Sequence, residues 1–265
     1  MRFIHGLVAT AAALAFSLPA QAGAYYLFDG DWPEAFVFST DTGATIGRFA
    51  TPRLAYPAAI RSSIWLGERD DDGGWEYTLQ GRPTGRTSQG GHRFSQLLDG
   101  ATGRGRNYGV ECCGEVNSVT VANADWSGQR VLFKLQFSGA GIAFDPRDRS
   151  LYVSELRGTR IRQFSLDGSL LNSFDFQKAL VGLAYDTATR SFWGFNRESN
   201  SLVQFDRRGT VLADLRITDA FPSNPYGGEM QVLAVPEPGA LLLAAAGVPL
   251  LAGVAARRRA RRHAA

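Results

Sequence analysis

The apolar positions of this chain repeat with a fixed period. Gly141-Ile142-Ala143-Phe144-Asp145 recurs 41 residues on as Gly182-Leu183-Ala184-Tyr185-Asp186, and the register then holds without a gap. Ser150-Leu151-Tyr152-Val153 meets Ser191-Phe192-Trp193-Gly194, and Ile161-Arg162-Gln163-Phe164 meets Leu202-Val203-Gln204-Phe205. Leu170-Leu171 meets Val211-Leu212. Each copy reads as four short strands, continuous or alternating in their apolar positions. Asp-Gly or Arg-Gly turns separate the last two. Four strands in about 41 residues predict one blade of a β-propeller.

Weaker copies lie upstream. Ser63-Ile64-Trp65-Leu66-Gly67-Glu68 matches Ser150 to Glu155, and Trp75-Glu76-Tyr77-Thr78-Leu79 supplies the next strand. Phe36-Val37-Phe38-Ser39, followed by Gly43-Ala44-Thr45-Ile46, reads as the end of another blade. Phe94 to Phe133 fills one more period, its Gly- and Arg-rich first half irregular. The expectation is an all-β propeller of about five four-stranded blades. Tyr25-Tyr26-Leu27-Phe28 and Met230-Gln231-Val232-Leu233 are left over at the two ends, and their pairing would close the ring and remove exposed sheet edges.

Two further segments bracket this domain. Arg2, the apolar run Leu7 to Leu18, Pro19 and the small-x-small site Ala20-Gln21-Ala22 form a signal peptide in residues 1–22, with the mature start at Gly23. A signal peptide implies the Sec export machinery. At the other end, Val235-Pro236-Glu237-Pro238-Gly239 precedes an uncharged run from Ala240 to Ala256 and then Arg257, Arg258, Arg259, Arg261 and Arg262. Seventeen helical residues span roughly 25 Å, enough for a transmembrane helix whose arginines snorkel. The arginines would stay cytoplasmic, so the domain before them faces outward. The organisation is therefore 1–22 signal helix, 23–234 ectodomain and 235–265 tail.

Charge follows the same division. The sequence has 28 Lys and Arg against 25 Asp and Glu, but six of the bases lie in the two terminal segments. Residues 23–256 keep 22 bases against all 25 acids, a net charge of −3. The basic pI of about 9.0 belongs to the ends, and a nucleic-acid partner is excluded.

The motif Pro236-Glu237-Pro238, the apolar helix and the Arg cluster together resemble the PEP-CTERM sorting signal of Gram-negative bacteria. That resemblance implies cleavage by exosortase, a membrane cysteine transpeptidase-like protease. It also implies passage through the inner membrane to the cell surface or matrix, and an association with exopolysaccharide and biofilm. The second half of the ectodomain resembles NHL-repeat propellers. Leu98-Asp99-Gly100-Ala101-Thr102-Gly103, Asp125-Trp126-Ser127, Val203-Gln204-Phe205 and Gly227-Gly228-Glu229 are similar to landmarks of a propeller-like ectodomain found among PEP-CTERM proteins. Ala122 stands where that pattern places an aromatic residue.

Candidate chemistry is sparse. His5 and His263 belong to the terminal segments, which leaves His92 alone in the domain, in a polar Gly-Gly-His-Arg loop; a multi-His zinc site is excluded. Cys112 and Cys113, the only cysteines, are adjacent, and an exported chain meets an oxidising compartment. A vicinal disulfide, two free thiols and pairing with another molecule all remain open. Asp70-Asp71-Asp72-Gly73-Gly74 offers carboxylates in a glycine turn but lacks the distal acid of a calcium loop, so it reads as a solvated hairpin. Glu68, Glu155 and Asn196 share one repeat position at a strand end. Such positions converge around a propeller axis, and lactonase-type propellers hold a divalent metal that way; an acid that caps the turn between two strands is the plainer reading.

These observations favour a non-catalytic, exported surface or matrix protein, with no cofactor and no resident metal. The alternative is a metal-dependent, lactonase-like hydrolase tethered to the membrane.

Overall fold

Among the residues the structure describes, which are 23–54, 57–68, 73–89, 96–114 and 116–231 of a computed structural model, every apolar run of the repeat becomes a strand. The signal segment, the Asp70 to Asp72 turn, His92 and the tail with Pro236, Glu237, Pro238 and the arginines lie outside the described residues, as do both flanking helices expected from the sequence. The first sheet holds β1 (Ala24–Asp29), β2 (Glu34–Ser39) and β3 (Thr45–Ala50). The second is β4 (Ala58–Ile60), β5 (Ile64–Gly67), β6 (Gly73–Tyr77) and β7 (Pro83–Gln89). The third is β8 (Leu97–Gly103), β9 (Arg106–Glu111), β10 (Ser118–Asn123) and β11 (Arg130–Lys134).

The two clear repeats give the last two sheets. One is β12 (Gly139–Asp145), β13 (Ser150–Glu155), β14 (Arg160–Phe164) and β15 (Leu170–Asp175). The other is β16 (Leu180–Asp186), β17 (Ser191–Asn196), β18 (Ser201–Phe205) and β19 (Val211–Arg216). The last strand, β20 (Pro225–Met230), returns to the first sheet and pairs with β1, giving the order β20-β1-β2-β3. The fold is a propeller of five four-stranded blades, closed by strands from both ends of the ectodomain.

The two ends do pair to close the ring, but the closing strand overlaps the stretch the sequence suggested only at its start. The apolar run Met230 to Leu233 was the expected partner of Tyr25 to Phe28. In the structure Tyr25 pairs with Met230 and Phe28 with Tyr226, so the closing strand lies earlier. The reason is steric. β20 is the innermost strand of its blade, and there the backbones crowd. Gly182, at φ +60, would place a Cβ 2.7 Å from the Gly228 nitrogen. Gly227 and Gly228 fit this place; a bulky apolar pair does not.

Burial falls from the axis outward. β12 is buried along its whole length, whereas β15 is exposed at all but one position. This explains why the inner strands read as continuous apolar runs and the outer ones as mixed. A polar clasp recurs between second and third strands. Gln163 Nε2 donates to Ser150 Oγ (2.9 Å) and Gln204 Nε2 to Ser191 Oγ (2.8 Å). In the second blade the same spacing gives Ser63 Oγ donating to Glu76 Oε1 (2.7 Å).

Between the second and third blades sits Trp126, fully buried although its φ is +66. A bulky residue adopts that backbone only when its surroundings hold it there. The indole Nε1 donates to the Trp65 carbonyl (2.9 Å), the ring lies on Gly67 and Gly100, and the Cβ lies against Gly74. Ala122 packs in the same cluster, so Trp126 fills the space beside the position where an aromatic was expected.

Candidate functional site at the propeller axis

The five innermost strands are β4, β8, β12, β16 and β20. Their C-terminal ends meet around one cavity of about 480 Å³. Arg61 follows β4, Arg104 follows β8, and Phe144, Tyr185 and Glu229 stand at the ends of β12, β16 and β20; all five line it.

Beneath the cavity the axis is bound together by one carboxylate. Asp99 projects from β8 and is fully buried. Its Oδ2 accepts from the Ile142 N–H (2.7 Å) and the Leu183 N–H (2.9 Å), and its Oδ1 from the Gly228 N–H (2.8 Å). One side chain therefore joins β8 to β12, β16 and β20. The Tyr25 hydroxyl, also fully buried, donates to the Gly182 carbonyl close by. Burial raises the Asp99 carboxyl well above the usual carboxylate range, against backbone N–H groups that favour its charged form.

Glu229 lies between this knot and the cavity and is 3% exposed. Its Oε1 accepts from the Met230 N–H (2.8 Å). Burial pushes its carboxyl well above the ordinary range, with the charge of Asp99 adding to the rise and Arg61 opposing it. Arg61 is held by neutral oxygens: Nη2 donates to the Arg106 carbonyl (3.1 Å) and Asn107 Oδ1 (3.1 Å), and Nη1 to the Ala124 carbonyl (3.4 Å). Burial pulls the guanidinium below its usual range. The Tyr185 hydroxyl is buried with no hydrogen-bond partner among the described residues, and burial pushes it up to about 12. Next to it, Arg207 Nε donates to Asp145 Oδ2 (2.6 Å), tying the fifth blade to the fourth.

The raised carboxyls set a pH dependence. An acid whose folded pKa lies above its unfolded value holds its proton longer in the fold, so stability declines as pH rises from about 4.5 towards the folded pKa. Glu76, Asp167, Asp175 and Asp214 are lowered and act the other way, their stabilisation lost as pH falls below the usual carboxylate range. Thermal unfolding should therefore peak at mildly acid pH and fall towards pH 8. Glu229→Gln should flatten that decline; an unchanged slope would mean that Glu229 does not drive it.

The sequence-derived candidates lie elsewhere. Glu155 pairs with Gly139 and Asn196 with Leu180, the first residues of β12 and β16, and Glu68 follows the end of β5. That is the end of the axis opposite the cavity. Each has a local partner: Glu68 with Arg53 (2.7 Å), Glu155 with Arg162 (2.6 Å), and Asn196 Oδ1 with the Glu198 N–H (3.0 Å). No hydrogen bond or ion pair joins any two of the three, and no group of three or more His, Cys, Asp or Glu suited to a metal occurs among the described residues. Cys112 and Cys113 are joined by a disulfide just past β9, Cys112 buried and Cys113 exposed at φ +69.

Asp99, Glu229 and Arg61 were not singled out by sequence reasoning as a site, though a signal existed. Asp99-Gly100-Ala101 stands in its blade where the later ones have Gly141-Ile142-Ala143 and Gly182-Leu183-Ala184, so a charge occupies a place that two other inner strands fill with glycine.

Residues 234–259 match the model of the PEP-CTERM protein-sorting motif. The chain carries a PEP-CTERM sorting motif. This makes the protein an exported, exosortase-sorted propeller destined for the cell surface. No curated protein matches the PEP-CTERM chain in sequence. Its fold is similar to a chain of the nidogen/laminin complex, with 12% identity, a TM-score of 0.51, and 79% of this chain and 99% of that one covered. A protein of unknown function from Bacteroides caccae is 14% identical, with a TM-score of 0.48 and coverage of 77% and 76%. Virginiamycin B lyase from Staphylococcus aureus is 13% identical, with a TM-score of 0.45 and coverage of 72% and 65%.

Proposed function

We propose that this PEP-CTERM protein is a non-catalytic binding propeller, cut from its C-terminal tail by exosortase and displayed at the cell surface or in the exopolysaccharide matrix. The observation that carries the reading is the spacing between fold and signal. The closing strand ends at Met230 and the sorting motif begins at residue 234, so removal of the tail leaves all five blades intact. Proline fixes φ and disfavours helix in the residue before it, and a Pro-Glu-Pro sequence therefore suits the extended form in which a protease takes its substrate. The inner membrane is then a transient station, with the arginines from Arg257 to Arg262 setting orientation.

Intact-mass measurement of the protein from its native host tests this. The expected mass lacks Leu241 to Arg262, and alanines at Pro236 to Pro238 should block that loss while leaving export unaffected. A mature chain that retains Leu241 to Arg262 would mean a plain membrane anchor.

A further inference from the structure

We infer that the axial cavity binds an acidic sugar, a carboxylate carried on a hydroxylated ring. The inference deepens the binding reading above and rests on it only in taking the propeller as a binder. The cavity, at about 480 Å³, falls in the size range of small-molecule sites, and all five blades build it. Arg61 supplies a half-buried cation with no ion-pair partner among the described residues. Its three hydrogen-bond acceptors are neutral oxygens that aim the fork, and the Glu229 carboxyl, raised by burial, acts on it through space without an ion pair. Arg104 adds a second cation at the rim, and Glu229 is the only carboxyl in the lining.

The rest of the lining asks for hydroxyls and a ring. Tyr185 lines the cavity, and its buried hydroxyl lacks any partner among the described residues, an unfilled position in a fold where buried polar groups are normally paired. Thr102, Thr187 and Gln231 place two hydroxyls and an amide around the same space, while the Phe144 and Tyr185 rings give it an apolar wall. A neutral sugar would leave the two guanidinium groups unanswered. An aromatic acid would leave the hydroxyls and the amide unanswered. Inorganic phosphate would make no use of the rings.

Calorimetric titration of the full chain with glucuronate, glucose, benzoate and inorganic phosphate tests the assignment. Glucuronate should bind, and each of the other three at least about tenfold more weakly. Arg61→Gln should weaken glucuronate by about tenfold or more. Tyr185→Phe removes a hydroxyl that bonds none of the described residues, so it should leave the melting temperature unchanged and weaken glucuronate about three- to tenfold. If Arg61→Gln fails to fold, Tyr185→Phe decides. Arg197→Gln, at the opposite end of the axis, should bind as the parent does. No binding of glucuronate, equal binding of any other probe, or a Tyr185→Phe protein with undiminished affinity overturns the proposal. The outcomes separate from those of the processing experiment: a chain that loses its tail yet ignores glucuronate overturns the ligand alone, and one that binds glucuronate yet keeps its tail overturns the sorting reading alone.

Discussion

Replacing Asp99 with alanine should cost the propeller about 3–5 kcal/mol, a large share of the ~5–15 kcal/mol by which a domain is stable. The mutation creates no steric problem, since alanine keeps the Cβ that aspartate already has and adds no atom. The damage comes from the groups left behind. The N–H groups of Ile142, Leu183 and Gly228 lose their acceptor at the buried axis. An unpaired buried donor costs about 1–3 kcal/mol, partly offset because a desolvated carboxyl is also removed. For a domain of this size the melting temperature should drop by roughly 10 °C or more. Asp99→Asn should fall between, because one oxygen can still serve Ile142 and Leu183 while the amide meets the Gly228 N–H as donor against donor. Thermal unfolding followed by circular dichroism checks both, and an Asp99→Ala midpoint within about 3 °C of the parent would show that the knot is not stabilising.

A stop codon after Asn224 should have a still larger effect. It removes β20, leaves β1 as an open inner edge and uncovers Tyr25 and Leu27, both fully buried in the closed ring. It also takes away one of the three inner strands that Asp99 holds. The truncated protein should lose cooperative unfolding and aggregate through its open edge, whereas a stop after Leu233 should leave a soluble, protease-resistant ectodomain. Limited proteolysis of the two proteins side by side decides the point. Equal resistance would mean that four and three-quarter blades suffice.

These two tests fall on different sides of what the sequence made legible. Blades four and five were readable to the residue, because a strict 41-residue period carries β12 to β15 onto β16 to β19 without an insertion. The third blade was harder for a physical reason. Leu98-Asp99-Gly100 has the composition of a turn, and Asp-Gly does mark turns elsewhere in the repeat at Asp167-Gly168. In β8 the same pair lies inside a strand, the glycine because Trp126 and the Ala58 backbone press against it, the aspartate because three blades offer it N–H groups. Only a ring closed in space brings those donors together. Glu68, Glu155 and Asn196 show the converse. Their shared repeat position implies one end of the axis, but periodicity does not reveal how far each stands from it or that a neighbouring arginine or turn N–H already occupies it.

The described chain ends at the cavity. Gln231 lines the cavity and follows directly on β20, and the sorting motif starts three residues later. The leash is therefore fastened to the lip of the cup, and the eight residues from 232 to 239 stretch no further than about 28 Å. Whatever holds the tail therefore holds the propeller from the end of the axis where Gln231 stands, and not from the opposite end where Glu155 and Asn196 lie.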